Sequence, residues 1–202
     1  MIDALLILAG YVLGSMPWGL WLPRLLRGVD VRTVGSGNTG AANVWRALGF
    51  KLALSVALLD IGKGLAAALL GLWLGNELIG LLAGIAAMAG HWRPLFMRFA
   101  RGGKIVATTG GVALALAPLA TLAAAGVWIA TFLAMRYTSV ASMTAAATLP
   151  LFALLFGASD LVVGFAAGAA LAIFVLHRAN IARLLTRTEN RFELRRRATR
   201  GV

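Results

Sequence analysis

The chain has 202 residues, of which 60% are hydrophobic and only 13% charged, with a mean hydropathy of +0.87; a soluble globular domain carries about 25% charge, so that class is excluded. A net charge of +12, from 19 Lys+Arg against 7 Asp+Glu, would suggest nucleic acid in a soluble chain. Here the arginines lie between apolar runs and at the C-terminus, where they read as topology signals and anion ligands, and nucleic acid is set aside as a partner. The absence of cysteine rules out disulfide and thiol chemistry, and two histidines without cysteine argue against a zinc site.

The expected fold is all-α: a polytopic integral membrane helix bundle filling residues 1–202 as a single domain. The first apolar run lacks a basic leader and a cleavage site, so it reads as a retained helix. Spans are expected near 3–22, 52–75, 78–90, 104–118, 120–135, 139–157 and 160–177, about seven in all. Several are short, since a 14-residue helix reaches roughly 21 Å against about 30 Å of hydrocarbon. The break between 104–118 and 120–135 rests on Pro118 and on length. Segments 23–51, 91–103, 136–138 and 178–202, with Lys104 at the mouth of the next span, hold 18 of the 19 Lys+Arg residues. Lys63 is left inside a span, and Asp3, Glu77 and Asp160 fall on the opposite side. The positive-inside rule makes the basic side cytoplasmic, with the N-terminus outside and the C-terminus inside. The basic segment 178–202 then lies in the cytoplasm, in reach of anionic headgroups.

The polar residues gather on that same side. The segment "RTVGSGNTGAANVWR", Arg32–Arg46, reads as a glycine-rich turn feeding a short interfacial helix, with Asn38 or Thr39 as its cap. Such a turn exposes amides to an anion, which nominates Ser36, Gly37, Asn38 and Thr39. On the helix Thr39, Asn43 and Arg46 share a polar face, while Ala41, Val44, Trp45 and Leu48 form the apolar one. The segment "GHWRPLFMRFARGGKIVATTGG" brings His91, Arg93, Arg98, Arg101 and Lys104 together without an acid. Gly102 and Gly103 precede Lys104 at the start of an apolar helix. The spacing is not that of a P-loop, but the physics is similar. In "LHRANIARLLTRTE", His177 and Asn180 lie one turn apart and can face one cavity, as can Ser139 and Ser142. Asp60 and Lys63, one turn apart inside a span, read as an internal ion pair, as the lining of a polar cavity, or as both, with the acid orienting Lys63 or an arginine. There is no Ser–His–Asp triad and no carboxylate cluster for magnesium, so neither metal nor cofactor is expected. Two anion sites on one face suit two phosphate-bearing substrates.

The chain resembles the bacterial membrane glycerol-3-phosphate acyltransferases that use acyl phosphate as donor, the PlsY family. The likeness is carried by "GSMP" at Gly14–Pro17, the motif from Asp30 to Arg46, "DIGKG" at Asp60–Gly64, "GHWRPLF" at Gly90–Phe96, "GGKIVAT" at Gly102–Thr108 and "HRANIARL" at His177–Leu184. The resemblance implies an enzyme that moves a fatty acyl group from acyl phosphate to the 1-hydroxyl of sn-glycerol 3-phosphate. The products would be 1-acyl-sn-glycerol 3-phosphate (lysophosphatidate) and phosphate, as the first step of phospholipid biosynthesis. It further implies a monomer in the bacterial inner membrane with its active site facing the cytoplasm. Ser36, Gly37, Asn38, Gly102 and Gly103 would cradle acyl phosphate, with Lys104 at its phosphoryl oxygens. Arg46, Ser142, His177 and Asn180 would hold glycerol 3-phosphate, and Thr39, Asn43, His91 and Arg93 complete the substrate-facing set. Either His177 or an oxygen of the acyl phosphate would take the hydroxyl proton, the latter being favoured for want of a carboxylate–histidine relay. The family pattern departs at Ala42, where threonine is usual, and at Ile105, where glycine is usual; Ile105 is therefore expected to have helical angles already. Arg187–Thr188 replaces a glycine usual before Glu189, and no role is assigned to that acid. The competing readings are a small organic-anion transporter, for which the chain shows no internal repeat, and a non-enzymatic lipid-binding protein.

Overall fold

The structure, a computed structural model, describes residues 1–192. It consists of ten α-helices: α1 Ile2–Gly14, α2 Trp18–Arg27, α3 Ala41–Leu48, α4 Phe50–Leu74, α5 Glu77–Trp92, α6 Val106–Leu116, α7 Pro118–Met135, α8 Thr138–Leu155, α9 Asp160–Leu176 and α10 Arg178–Leu185. The run α1–α2, α4, the stretch Glu77–Met97 that begins with α5, α7 and α8 give five stretches long and apolar enough to cross a membrane; α9 and α10, bent by 58°, make a sixth if taken as one span. The expected break within 104–135 is present. Ala117 ends α6, and Pro118 opens α7 at a first-turn position where its missing N–H costs nothing.

Helix α4 packs against α1, α5 and α6, while α8 joins α7 to α9. Small residues allow these approaches. A Cβ on Gly14 would lie 2.0 Å from the Ala87 carbonyl oxygen of α5, and one on Gly111 would lie 1.9 Å from that of Ile61 on α4. The largest buried apolar cluster runs from Val112 and Ala113 of α6 through Leu149 and Ala153 of α8 to Phe165 and Ile173 of α9. Large apolar side chains such as Leu70, Trp73, Leu122, Ile129, Leu151 and Leu171 remain exposed on the outer surface, as expected of helices whose surroundings are lipid.

The two ends of the bundle differ. At one end Glu77 accepts a 2.7 Å hydrogen bond from Ser159, and Asn76 and Ser159 cap α5 and α9. At the other end the polar segments meet: Asn38 donates to the Gly102 carbonyl at 3.1 Å, Lys104 to Asn180, Ser139 to Glu189, and the Phe192 amide to the Arg136 carbonyl. The part of the basic tail beyond Phe192 lies outside the described residues.

Candidate active site

The first loop is built around Asn43. Gly28, in the left-handed region, stops α2, and Asp30 ties the loop to Arg24 and Arg32 at 2.6 and 2.7 Å. The hydrogen bonds from Arg32 and Arg24 hold the Asp30 carboxyl well below the usual range. From α3 the buried Asn43 carboxamide reaches back into the loop. Its Oδ1 accepts the Ser36 amide at 2.9 Å, and its Nδ2 donates to the carbonyls of Val31 and Val34. The Gly37 amide donates to Val34. The amides of Ser36 and Gly37 are therefore occupied, and Asn43 is a strut of the loop instead of a substrate contact. Thr39 is likewise buried, with its carbonyl against Gly19. Asn38 receives the Gly40 amide and bridges to Gly102. Ser36 is among the residues this loop leaves exposed, together with Arg32 and Thr33.

The second loop folds back on the end of α5. Gly102 donates its amide to the Trp92 carbonyl and Gly103 to that of His91. These two amides, expected to cradle phosphate, are thus also occupied. The contact demands glycine, because a Cβ on Gly103 would lie 1.9 Å from Nε2 of His91. Ile105 is not helical as expected: its φ of 60° puts it in the left-handed region. The turn therefore runs one residue further and α6 starts at Val106. Glycine, usual in the family at this position, takes such an angle without the steric cost a β-branched residue bears. Among the described residues, the amides of Lys104, Ile105, Val106, Ala107 and Thr108 have no acceptor. An anion at this helix end would meet those donors and the lysine together.

Lys104 opens the polar cluster. Its ammonium donates to Oδ1 of Asn180, whose Nδ2 donates to Oε1 of Glu189 at 2.6 Å. Ser139 donates to the same oxygen at 2.8 Å, and Arg183 Nε to Oε2 at 2.7 Å. Arg46, on α3, donates weakly to Thr138 at 3.4 Å, lies over the Phe192 ring at 4.8 Å, and keeps a buried Nε with no partner among the described residues. Burial lowers Lys104 to about 8, with Glu189 opposing that shift and Arg183, Arg101 and Arg46 adding to it. His177 follows α9, and its Nδ1 lies 2.8 Å from the Ile173 carbonyl, which makes Nδ1 the protonated nitrogen and Nε2 the acceptor. Burial, then the charge of Lys104, pulls its pKa down to about 4. Burial works against the charge of Glu189, yet hydrogen bonds from Asn180, Ser139 and Arg183 hold its carboxyl below the usual range.

Residues read from the sequence as one set thus fall into three groups. Lys104, Arg46, Asn180 and His177 converge on one region. Ser142 lies nearby but accepts a 3.1 Å hydrogen bond from Trp128, while Ser139, expected beside it, serves Glu189. His91 and Arg93 stand apart from that cluster. His91 is buried against Asp60, 3.4 Å from its Oδ1, and Asp60 holds Lys63 at 2.8 Å as the sequence spacing implied. Arg93 donates to the Phe99 carbonyl and stacks on Trp92, so it shapes the second loop. Glu189 was missed. The signal for it was available in Arg183, six residues earlier, but the pair meets only because the chain reverses after α10.

A family model described as "Glycerol-3-phosphate acyltransferase" matches residues 4–187. The glycerol-3-phosphate acyltransferase of Desulforudis audaxviator (strain MP104C) is 45% identical over 186 residues, covering 92% of this chain and 93% of its own. That of Rhizobium meliloti (strain 1021) is 44% identical, covering 90% and 88%. Among solved structures, the glycerol 3-phosphate form of PlsY (YgiH), an integral membrane glycerol 3-phosphate acyltransferase, aligns with a TM-score of 0.90 at 40% identity over 96% of both chains. Its lysophosphatidic acid form aligns at 0.88 and 39%.

Proposed function

The chain belongs to the glycerol-3-phosphate acyltransferase family and makes lysophosphatidate from acyl phosphate and glycerol 3-phosphate; we propose that it acylates the 1-hydroxyl, as a monomer, at the cytoplasmic face of a bacterial inner membrane. Family membership sets aside the transporter reading. The observation that carries the site assignment is the cation-rich cluster of Lys104, Arg46 and Asn180 beside the unpaired amides that open α6. All of these groups come from one chain, which supports a monomeric enzyme. In this reading the chain crosses seven times, with its N-terminus outside and its C-terminus in the cytoplasm. The charge asymmetry supports it, as does the path from Lys104 to Arg136, which leaves the polar end through α6 and returns through α7. Helix α6, with 11 residues, is about 16 Å long and suits a bilayer thinned beside the polar loops.

Acyl phosphate is a mixed anhydride, so its carbonyl is already activated and phosphate leaves readily. The protein's task is to overcome repulsion between two phosphate-bearing substrates and to align them. The amides of residues 104–108, Lys104 and the Ser36 hydroxyl receive the acyl phosphate. Arg46, Asn180, Ser142 and His177 receive glycerol 3-phosphate, with Lys104 within reach of both phosphates. Attack by the 1-hydroxyl forms the ester bond and breaks the carbonyl–phosphate bond. The hydroxyl proton passes to the departing phosphate oxygens. His177, with its proton affinity pulled down to about 4, is a weak base at neutral pH and serves better as a hydrogen-bond acceptor.

The test is to incubate detergent-solubilised protein with palmitoyl phosphate and labelled glycerol 3-phosphate, without metal or coenzyme A. Lysophosphatidate should form, and absence of product with any acyl phosphate sinks the assignment. His177→Asn should raise KM for glycerol 3-phosphate while leaving turnover at saturation within about tenfold of wild type. A loss of turnover beyond that makes His177 the base.

A further inference from the structure

Glu189 presents a problem that the acyltransferase reading does not solve. A carboxylate inside a cluster assembled for phosphate repels phosphate, and its side chain is only 2% exposed. It is not a proton acceptor for the reaction. Both of its oxygens already accept hydrogen bonds, from Asn180, Ser139 and Arg183, and those bonds hold it ionised. What it does have is control over the group it faces. An ionised carboxylate can only accept, whereas the Asn180 carboxamide has one donor end and one acceptor end. With Glu189 opposite, the amide must turn its NH2 toward the acid. Its oxygen is then left facing Lys104, whose ammonium donates to it.

We propose that Glu189 is a positioning residue: its carboxylate sets the polarity of the Asn180 amide and through it holds the Lys104 ammonium in register for substrate phosphate, without touching substrate. The inference rests on the reading that Lys104 binds phosphate. The backbone supports it independently, because the segment carrying Glu189 is tied at both ends. The Thr188 amide donates to the Arg183 carbonyl, and the Phe192 amide to that of Arg136 at 2.8 Å. Phe192 is wedged among Trp45 and Phe132, with centroids 4.6 and 5.6 Å away, and carries the Arg46 guanidinium over its face. The same short segment therefore sets Asn180 and Lys104 on one side of the site and Arg46 on the other. It gives an acid a use there: one negative charge orders three positive ones, Lys104, Arg183 and Arg46, that would otherwise repel each other.

Glu189→Gln tests the proposal, since it keeps the shape but removes the charge and must set an NH2 against a donor, that of Asn180 or that of Arg183. KM for both substrates should rise about tenfold, the cost of a misplaced charge-assisted hydrogen bond, with a smaller change in kcat. The alkaline fall of kcat/KM should move to lower pH, because Lys104 loses the carboxylate that favours its charge while Arg46, Arg101, Arg183 and the neighbouring His177 remain. Glu189→Asp should recover part of the KM. Calorimetric binding of inorganic phosphate should weaken in Glu189→Gln in the same proportion, which tests the inference even if the acyl-transfer assay fails. Unchanged phosphate affinity, KM and pH profile overturn it. So does a variant that loses only thermal stability while these three stay at the wild-type values.

Discussion

Asp60 and Glu189 are both buried carboxylates in contact with cations, and they do opposite things. Asp60 sits in the middle of α4, and the paired side chains of Asp60 and Lys63 are each 3% exposed. Lys63 also donates to the Met16 carbonyl at the α1–α2 break, and His91 of α5 closes the other side. The cluster balances its own charge: one acid, one lysine and a histidine join three elements and leave no charge over. Glu189 is surrounded by Lys104, Arg183 and Arg46, and the donors of Lys104 and Arg46 are not all used. Positive charge in excess of the local acid is what an anion can be drawn to. The two clusters are also connected, because His91, braced by Asp60, lies beneath Gly103, the residue before Lys104.

If that contrast is right, damage to the first cluster should appear as lost stability and damage to the second as lost activity. Asp60→Asn leaves Lys63 charged and unpaired in the bundle, and should cost about 3–5 kcal/mol of stability, read as a large drop in thermal midpoint in detergent. A variant as stable as wild type would show that the pair is not a strut. Lys104→Ala should lower kcat/KM by about a hundred- to a thousandfold with little change in that midpoint. Equal losses of activity and stability would erase the distinction between the clusters. The smallest effect is on pH. Lys104 is charged below about 8 and neutral above it. At pH 9 about one lysine in ten remains charged, so KM should rise roughly tenfold between pH 7 and 9. The substrate phosphates contribute little to that rise, since their second ionisation is complete well below it, near pH 6. A flat KM across this range would remove Lys104 from the binding step.

Much of this was legible because membrane chains write their plan in one dimension. Runs of apolar residues interrupted by Arg-rich segments specify helices, and the break at Pro118 follows from proline's missing N–H. The i, i+3 spacing of Asp60 and Lys63 makes their meeting a property of the helix itself. The motifs also nominated Lys104, Arg46, His177 and Asn180, which do converge. The errors lie where backbone donors were assigned by residue type. Glycine-rich loops suggest free amides, but those of Ser36, Gly37, Gly102 and Gly103 are taken by Asn43, Val34, Trp92 and His91. Sequence cannot show which amides are already bonded, because the acceptors are set by how the loop closes.

The sequence by itself therefore determined the class of protein, the course of its helices, the concentration of cations at one end and the membership of the acyltransferase family. Each is a matter of local periodicity, charge along the chain, or motif order. Tertiary structure alone decided which polar groups remain available. Ile105 takes a left-handed angle where the loop, held against His91 at Gly103, turns into α6. Glu189 reaches Ser139, fifty residues away, because the chain reverses after α10 and Phe192 anchors the return. A hydrogen bond between distant residues depends on the path of the chain between them, and no spacing in the sequence encodes that path.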